Sequence, residues 1–365
     1  MPKAKLVYYP KHADSRIRQT KGLFAAVCDC DNIFPELYCM KHISILVPNG
    51  AILGSLEGSR QLLTQVNAFF KVRGEDPIFN VQLVGLTKET PLSGGLFTAK
   101  PDALLKDIKK TDLIIIPALD GDLQQAIENN KEFLPWIKEQ YNNGSEVASL
   151  CLGAFLLAST GLLNGKKCAT HWLAANEFKK LFPEVNLVTE KIITDEHRIY
   201  SSGGAFSYLN LILYLIEKFA GRDMAVLSAK VFAIELDRDN QSSFIIFQGQ
   251  KQHEDELVKK AQDFIEKNYQ EKITVDELAS KFAISRRNLE RRFRKVTFNS
   301  VVEYIQRVRI EAAKMSLERT RENVNEAMYK AGYSDTKAFR TTFKKHTGIS
   351  PMEYRNKYNR QMEIA

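Results

Sequence analysis

The sequence has few of the features that mark secreted or membrane proteins. It contains five cysteines in 365 residues, and this small, odd number argues against the disulfide framework of a secreted domain. Its most apolar runs, at 113–117 and 211–216, are too short for a membrane span, which needs ~18 residues. The N-terminus has charges but no continuous apolar segment ending in small residues, so we predict no secretory signal. We therefore expect a cytoplasmic protein without a membrane partner.

Composition and length indicate a folded protein of more than one domain. Hydrophobic residues make up 44% and charged residues 26% of the chain, which are values typical of globular proteins. The formal net charge is +8, and residues 251–365 contain 25 Lys and Arg against 17 Asp and Glu. The whole excess thus lies in the last third. A neutral body with a basic end predicts a module that binds a polyanion, although a solvated lysine-rich helix face gives the same excess.

Residues 1–39 differ from the rest of the chain, because their charges and aromatic residues follow no helical or strand period. We expect a poorly structured N-terminal extension, with the native protein beginning near Met40. Cys28, Cys30 and Cys39 lack the paired spacing of a zinc site. We therefore predict no bound metal, and no cofactor either.

An α/β domain is predicted for residues 40–240. Short apolar runs at 42–47, 79–84, 112–117 and 146–150 alternate with amphipathic helical patterns at 57–71, 102–109 and 122–141. This alternation predicts a parallel sheet covered by helices on both faces. Ligands bind at the C-terminal ends of the strands in such sheets, so the turns after Val47, Pro117 and Leu150 are candidate sites.

An all-α domain is predicted for residues 255–365, after a polar linker at 241–254. A short helix begins at Thr274, a turn follows, and a second helix begins at Arg286; the same arrangement returns in the second half of the domain, at 324–345. Two short helices joined by a tight turn form a helix-turn-helix unit. The predicted helix between the two units, 300–317, would be roughly 27 Å long. It could hold the two second helices about one DNA turn apart.

Both predicted units resemble AraC-type transcriptional regulators. The first unit has S-x-R-x-L-x-R-x-F-R at 285–294. The second has AGYS at 331–334, then Phe339, Phe343-Lys344, GISP at 348–351 and Tyr354-Arg355. The resemblance covers about residues 255–358 and implies sequence-specific binding to double-stranded DNA. Ala283 departs from the pattern, since its turn position commonly holds glycine or asparagine and alanine is strained there if φ is positive.

The resemblance places base-reading positions on the second helix of each unit. These positions are Arg287, Glu290, Arg291, Thr336, Lys337, Arg340 and Thr341. We assign four further residues to phosphate contacts, namely Arg286, Arg294, Lys344 and Lys345. The residue types suit these roles, because Arg binds guanine edges, Glu accepts from cytosine and Thr contacts the thymine methyl group, whereas phosphate contacts fix register. The alternative is a solvated basic surface without DNA contacts.

A cysteine occupies a chemically suggestive position in the α/β domain. Cys151 follows a predicted buried strand and precedes a predicted helix at 154–159, which is the arrangement of a nucleophile elbow. Amides at the helix N-terminus would lower the pKa of its thiol, and His171 could approach it. The alternative is a buried small residue and a histidine with an ordinary polar partner. The candidate ligand-binding residues are Cys151, His171, Ala118 and Leu152. We assign no catalytic residue beyond the candidates Cys151 and His171.

Residues 151–158, 161–165, 170–172, 202–204 and 210–211 resemble the class I glutamine amidotransferase-like superfamily. The likeness is to its PfpI type, in the form that is fused to AraC-type modules in GlxA-like regulators. It covers about residues 42–235 and implies a flavodoxin-like sandwich. Enzymes of the superfamily combine a cysteine with a histidine and usually an acidic residue. Some members have a glutamate in the turn after the first strand. Here that turn is residues 52–55, and Glu57 follows two residues after Ser55. Ser149 stands where a glycine is usual.

The sequence therefore predicts a transcriptional regulator rather than an enzyme. A flavodoxin-like parallel-sheet α/β sandwich that senses a ligand would precede an all-α domain with two helix-turn-helix units. The expected partners are double-stranded DNA, an unknown small-molecule effector, a second copy of the chain and RNA polymerase. Three alternatives stay open: a Cys-dependent amidohydrolase or deglycase tethered to DNA, oxidation of Cys151 as the signal, and a non-specific architectural DNA binder.

Overall fold

The computed structural model describes residues 40–236 and 240–359. The prediction of an N-terminal extension, with Cys28, Cys30 and Cys39, lies outside these residues. No helix within them is long and apolar enough to cross a bilayer.

Eleven strands are present in the described part of the α/β domain, and seven of them form one sheet. The strands are β1 Lys41–Val47, β2 Phe79–Gly85, β3 Thr90–Leu92, β4 Phe97–Ala99, β5 Ala103–Leu104, β6 Leu113–Ile116, β7 Glu146–Leu150, β8 Lys167–Cys168, β9 Asn186–Leu187, β10 Ile193–Glu196 and β11 Ile199–Ser202. The main sheet has the order β10-β11-β7-β6-β1-β2-β5. Every neighbouring pair in it is parallel except β10 with β11.

Helices cover both faces of this sheet. They are α1 Leu53–Val72, α2 Leu123–Asn129, α3 Phe133–Asn142, α4 Ala154–Ser159, α5 Ala175–Leu181, α6 Tyr208–Ala220 and α7 Arg222–Phe232. Side chains alternate across the sheet, so Ile43 and Ile45 of β1 pack into the core under α1, α6 and α7, whereas Leu46 packs into the core on the opposite face. The prediction of a flavodoxin-like parallel-sheet sandwich is confirmed.

Two of the predicted helices were wrong in their extent or type. Residues 102–109 were predicted as a helix, but they form β5 and a single 3₁₀ turn. The cause is a long-range contact: Asp102 donates its N–H to the Leu83 carbonyl and accepts the Leu83 N–H at its side chain, which adds the segment to the edge of β2. The predicted helix 122–141 is two helices, since the buried Asn130 side chain ends α2 by bonding the backbone of Asn49.

The described part of the C-terminal domain is entirely helical. Its helices are α8 Glu256–Asn268, α9 Val275–Lys281, α10 Arg286–Thr297, α11 Val301–Arg319, α12 Val324–Lys330, α13 Thr336–Thr347 and α14 Pro351–Tyr358. The linker before them, residues 241–254, has no regular secondary structure apart from a 3₁₀ turn at Ser242–Phe244. The prediction of an all-α domain is confirmed.

The long helix α11 belongs to both halves of this domain. Val301, Tyr304 and Ile305, in its first turns, pack into the core formed with α8, α9 and α10. Ile310 and Leu317, further along, pack into a second core with α12, α13 and α14. Its 19 residues give a length of roughly 28 Å. One continuous helix therefore connects two separate helix-turn-helix units.

Candidate nucleic-acid interface and ligand site

The first helix-turn-helix unit is formed by α9 and α10. Ser285 caps α10 by accepting the Asn288 N–H at 3.4 Å, and Leu289 and Phe293 are fully buried. Burial of this i, i+4 pair turns the opposite face of α10 toward solvent. The exposed residues on it are Arg286, Arg287, Arg291 and Arg294, with Glu290 half-buried beside them.

The turn of this unit contains a strained residue. Ala283 has φ +53°, a left-handed conformation that costs an alanine roughly 1 kcal/mol or more. It is exposed, so its methyl group adds no buried contact. The strain expected at this departure from the family pattern is therefore present.

The second unit is formed by α12 and α13. Asn323 caps α12 with a capping box, and Asp335 caps α13. Gly332 between them has φ +79°, and a Cβ there would come within 2.8 Å of the carbonyl oxygens of Tyr269 and Gln270. Phe339 and Phe343 are fully buried. All the predicted DNA-binding residues of this helix are exposed, namely Thr336, Lys337, Arg340, Thr341, Lys344 and Lys345.

The predicted DNA-binding residues differ in how they are held. Arg286 forms ion pairs with Asp276 at 2.9 Å and with Glu290 at 3.3 Å, and Arg291 donates to Asn288 Oδ1 at 3.0 Å. The charged side chains of the other cations on these faces form no hydrogen bond or ion pair with another described residue; these are Arg287, Arg294, Lys337, Arg340, Lys344 and Lys345. Such unpaired cations are available to phosphate or base oxygens.

Arg292 is a residue of α10 whose role the sequence did not indicate. It donates to both carboxylate oxygens of Asp255, at 2.6 and 2.8 Å, and Asp255 also caps α8 by accepting the Val258 N–H. The only sequence signal was a capping aspartate before a helix. Its arginine partner, 37 residues away, could not be recognised from spacing.

Cys151 lies on a sharp turn between β7 and α4. Its φ is +52°, and residues Cys151–Gly153 form a 3₁₀ turn before the helix. A Cβ on Gly153 would come within 2.4 Å of the Pro117 carbonyl oxygen, so only glycine allows this close approach of the turn to the end of β6. The backbone geometry is that of a nucleophile elbow.

The environment of Cys151 does not activate its thiol. Burial raises the pKa of Cys151 to about 12, and a hydrogen bond with the Leu152 backbone offsets only part of the effect. The expectation that helix amides would lower this pKa was wrong, because desolvation outweighs them. No hydrogen bond joins Cys151 to His171 in the described chain. Thr170 donates to the Cys151 carbonyl oxygen, so the two segments are adjacent while the imidazole itself bonds the Leu173 N–H.

The other candidate ligand residues have defined positions around the turn. Ala118 is buried; its N–H donates to Ser55 Oγ at 3.0 Å and its carbonyl accepts the Ile52 N–H, so this amide is already used. Leu152 is half-buried. Glu57 forms an ion pair with Arg60 at 2.6 Å. The acidic residue nearest to the position where some members of the superfamily have a glutamate is thus paired with a neighbouring arginine.

Two family models match separate parts of the chain. Residues 278–357 match a helix-turn-helix domain, and residues 64–218 match the DJ-1/PfpI family. The chain combines a DJ-1/PfpI domain with an AraC-type helix-turn-helix domain. The resemblances noted in the sequence are therefore confirmed for both domains.

Three relatives match between 40% and 70% of the chain. The chain is 28% identical over 260 residues to the HTH-type transcriptional regulator GbdR of Pseudomonas aeruginosa, covering 70% of this chain and 69% of that protein. It is 27% identical over 221 residues to the HTH-type transcriptional regulator ArgR of the same species, covering 60% and 67%. Isonitrile hydratase of Pseudomonas putida is 27% identical over 147 residues, which is 40% of this chain and 59% of the hydratase.

A cavity lies between the DJ-1/PfpI domain and the AraC-type domain, and the sequence did not indicate it. Its volume is about 720 Å³, and it is lined by residues of the segments 172–189, 245–252 and 296–307 together with Gln124. Cys151, His171, Ala118 and Leu152 are not among its lining residues. Because distant segments form it, no local pattern could predict it.

Proposed function

We propose that the chain regulates transcription by binding particular DNA sequences through α10 and α13. The observation that carries this function is the pair of exposed cationic helices on one rigid connector. Each follows a tight turn and buries an aromatic or aliphatic i, i+4 pair, and α11 joins the two cores. Its length of roughly 28 Å suits two helices that enter adjacent major grooves, about 34 Å apart.

The exposed faces sort into two kinds of contact. Base reading is proposed for Arg287, Glu290, Arg291, Thr336, Lys337, Arg340 and Thr341. Phosphate contact is proposed for Arg286, Arg294, Lys344 and Lys345. Selection of bound fragments from genomic DNA tests the function, because a shared motif among the fragments supports sequence reading. Fragments without a shared motif, combined with steep salt dependence, would indicate a non-specific architectural binder.

The DJ-1/PfpI domain is proposed to sense a small effector rather than to turn over a substrate. The buried thiol of Cys151, with its raised pKa, supports this assignment, because the thiolate is the nucleophilic form. An effector changes DNA binding only by the difference in its affinity for two arrangements of the domains. A second copy of the chain and RNA polymerase belong to the same proposal, and they rest on the family resemblance.

Catalysis by the DJ-1/PfpI domain is the second candidate function. The elbow at Cys151 and the likeness to isonitrile hydratase favour it. Replacing Cys151 by serine discriminates between the two functions. If the domain is an enzyme, this variant loses turnover and keeps its DNA binding. If the domain is a sensor that binds its ligand at the elbow, the variant changes the response to the effector, and the wild type shows no turnover.

A further inference from the structure

The cavity between the domains is lined by cations from both domains, with Glu177 and Glu303 among the other lining residues. Lys179 of α5 and Arg307 of α11 line it from opposite domains. Burial lowers the pKa of Lys179, and the positive charge of Arg307 lowers it further, whereas Glu303 and Glu190 act in the opposite direction. Two cations brought together across a domain junction repel each other unless an anion lies between them.

The described residues neutralise these cations poorly. Arg307 has one ion pair, with Glu303 at 3.4 Å, a helical neighbour four residues away. The buried Nε of Arg307 has no hydrogen-bond partner, which leaves a charged group with an unsatisfied donor. Lys179 has an aromatic contact, at 6.0 Å from the ring centre of Phe298, and no carboxylate partner among the described residues.

The other two lysines at the cavity have hydrogen-bond or ion-pair partners. Lys251 forms ion pairs with Asp263 at 2.9 Å and with Glu266 at 2.7 Å. Lys180 donates to the Gln252 carbonyl oxygen at 3.4 Å. Among the cations that line the cavity, Lys179 therefore has no ion pair, and Arg307 keeps an unsatisfied Nε although Glu303 pairs with its guanidinium.

We propose that this cavity binds a small organic anion whose carboxylate or phosphate group lies between Lys179 and Arg307. The volume of about 720 Å³ is in the range of small-molecule sites. Trp172 and Phe247, which also line it, provide apolar surface for the rest of the ligand. The site is separate from the turn at Cys151.

Occupancy of this site would stabilise one arrangement of the two domains. Lys179 belongs to the DJ-1/PfpI domain, and Arg307 lies on the helix that connects both helix-turn-helix units. An anion that bonds both cations binds only when they are close, so it favours the arrangement seen here by its difference in affinity. This regulatory consequence rests on the proposed function, whereas the binding of the anion does not.

The test measures anion binding to the full chain by tryptophan fluorescence. The sequence contains two tryptophans, so Trp136→Phe leaves Trp172 as a reporter within the cavity. Titrations with sodium succinate and with inorganic phosphate, each against sodium chloride at equal ionic strength, separate the carboxylate from the phosphate. We expect a saturable change with at least one of them, and the same anion should raise the melting temperature of the chain with both tryptophans present.

The variants Lys179→Gln and Arg307→Gln should weaken this binding about tenfold each, the effect of one charged hydrogen bond. The matched controls are Lys88→Gln and Arg73→Gln, exposed residues outside the cavity, which should leave the affinity unchanged. Without added anion, the melting temperatures of Lys179→Gln and Arg307→Gln should equal or exceed that of the wild type, because the repulsion between the two cations is removed.

Three outcomes would overturn the proposal of an anion site in this cavity. They are no saturable response to either anion, equal responses in the cavity variants and their controls, or a response to duplex DNA alone that Lys179→Gln and Arg307→Gln abolish. The last outcome would make the two cations contacts to DNA phosphate. Preference for selected over random DNA is measured without an added anion, so failure of the proposed function is distinguishable from failure of this site.

Discussion

Arg292 and Asp255 form a two-pronged ion pair, with N–O distances of 2.6 and 2.8 Å, that connects α10 to the first residue before α8. Only 16% of the Asp255 side chain is exposed, and the same carboxylate caps α8. The residue next to Arg292, Arg291, instead points to solvent. Adjacent arginines therefore have different functions, one holding the helix in place and the other facing outward.

This difference predicts that the two arginines contribute differently to the stability of the fold. Asp255→Ala should lower the free energy of unfolding by about 1 kcal/mol from the lost cap alone, and by more because Arg292 loses its partner. Arg292→Ala should also destabilise, but less, because the cap remains. Arg291→Ala should leave stability unchanged. Urea unfolding followed by helical circular dichroism checks this order, and equal stability of all three variants would contradict it.

DNA binding should separate base contacts from phosphate contacts. Arg291→Ala should cost about 1–3 kcal/mol on the selected sequence and relax the preference at one base pair. Lys345→Ala should weaken binding to all sequences by similar amounts and reduce its salt dependence. Affinities for a panel of single-base variants of the selected site measure both effects. Identical profiles for the two mutants would contradict the assignment.

The two turns of the helix-turn-helix units should respond in opposite directions to exchanges of alanine and glycine. Ala283→Gly should raise the free energy of unfolding by about 1 kcal/mol, since φ +53° no longer strains a Cβ and nothing buried is lost. Gly332→Ala should lower it by more than ~2 kcal/mol, because its Cβ would clash with backbone oxygens. Chemical denaturation of both variants is the measurement. A destabilised Ala283→Gly would show that this turn is not strained.

Cys151 should react slowly with alkylating agents. With a pKa of about 12, about one thiol in ten thousand is ionised at pH 8, and the rate should rise about tenfold for each pH unit up to pH 10. Iodoacetamide labelling of the folded chain, followed by peptide mass spectrometry at Cys151, gives the rate. A rapid reaction at pH 7 would instead support catalysis by the DJ-1/PfpI domain.

His346 should make the protein less stable in acid. Burial, followed by the charges of Arg307 and Lys345, lowers the pKa of His346 to about 4, and Glu303 opposes them. Its pKa in the unfolded chain is near 6.5, so the unfolded state takes up the proton first. The contribution to stability is complete above pH 6.5 and is lost progressively as the pH falls to 4. Relative to pH 7, it amounts to up to roughly 2 kcal/mol after solvent screening.

The matched variant for this effect is His346→Gln, which cannot titrate. Urea unfolding at pH 7 and at pH 4.5 should show a smaller acid loss for the variant than for the wild type. All other residues are the same in the two proteins, so the difference isolates the histidine. Parallel losses would mean that His346 is not held neutral by the fold.

Local signals made the helices of the C-terminal domain predictable. Ser285 and Ser300 precede their helices as caps, and the pairs Leu289–Phe293 and Phe339–Phe343 mark the buried faces. In the α/β domain the central strands were also predictable from local signals, since β1, β6 and β7 are short, largely apolar runs.

Features made by distant residues could not be predicted. The segment 102–109 joined the sheet through Asp102 and Leu83, a contact that helical periodicity does not encode. The geometry of the elbow at Cys151 followed from strand and helix signals, but its raised pKa depends on burial, which only the packed domain shows. The cavity with Lys179 and Arg307 likewise exists only where the two domains meet.

Sequence reading by two helix-turn-helix units on one connecting helix is the property on which the proposed function depends. The most direct measurement is the ratio of the dissociation constants of the full chain for a selected genomic fragment and for a duplex of the same composition in shuffled order, at about 150 mM salt. We expect the selected fragment to bind at least about a thousandfold more tightly than the shuffled duplex. Equal affinity for the two duplexes would contradict it.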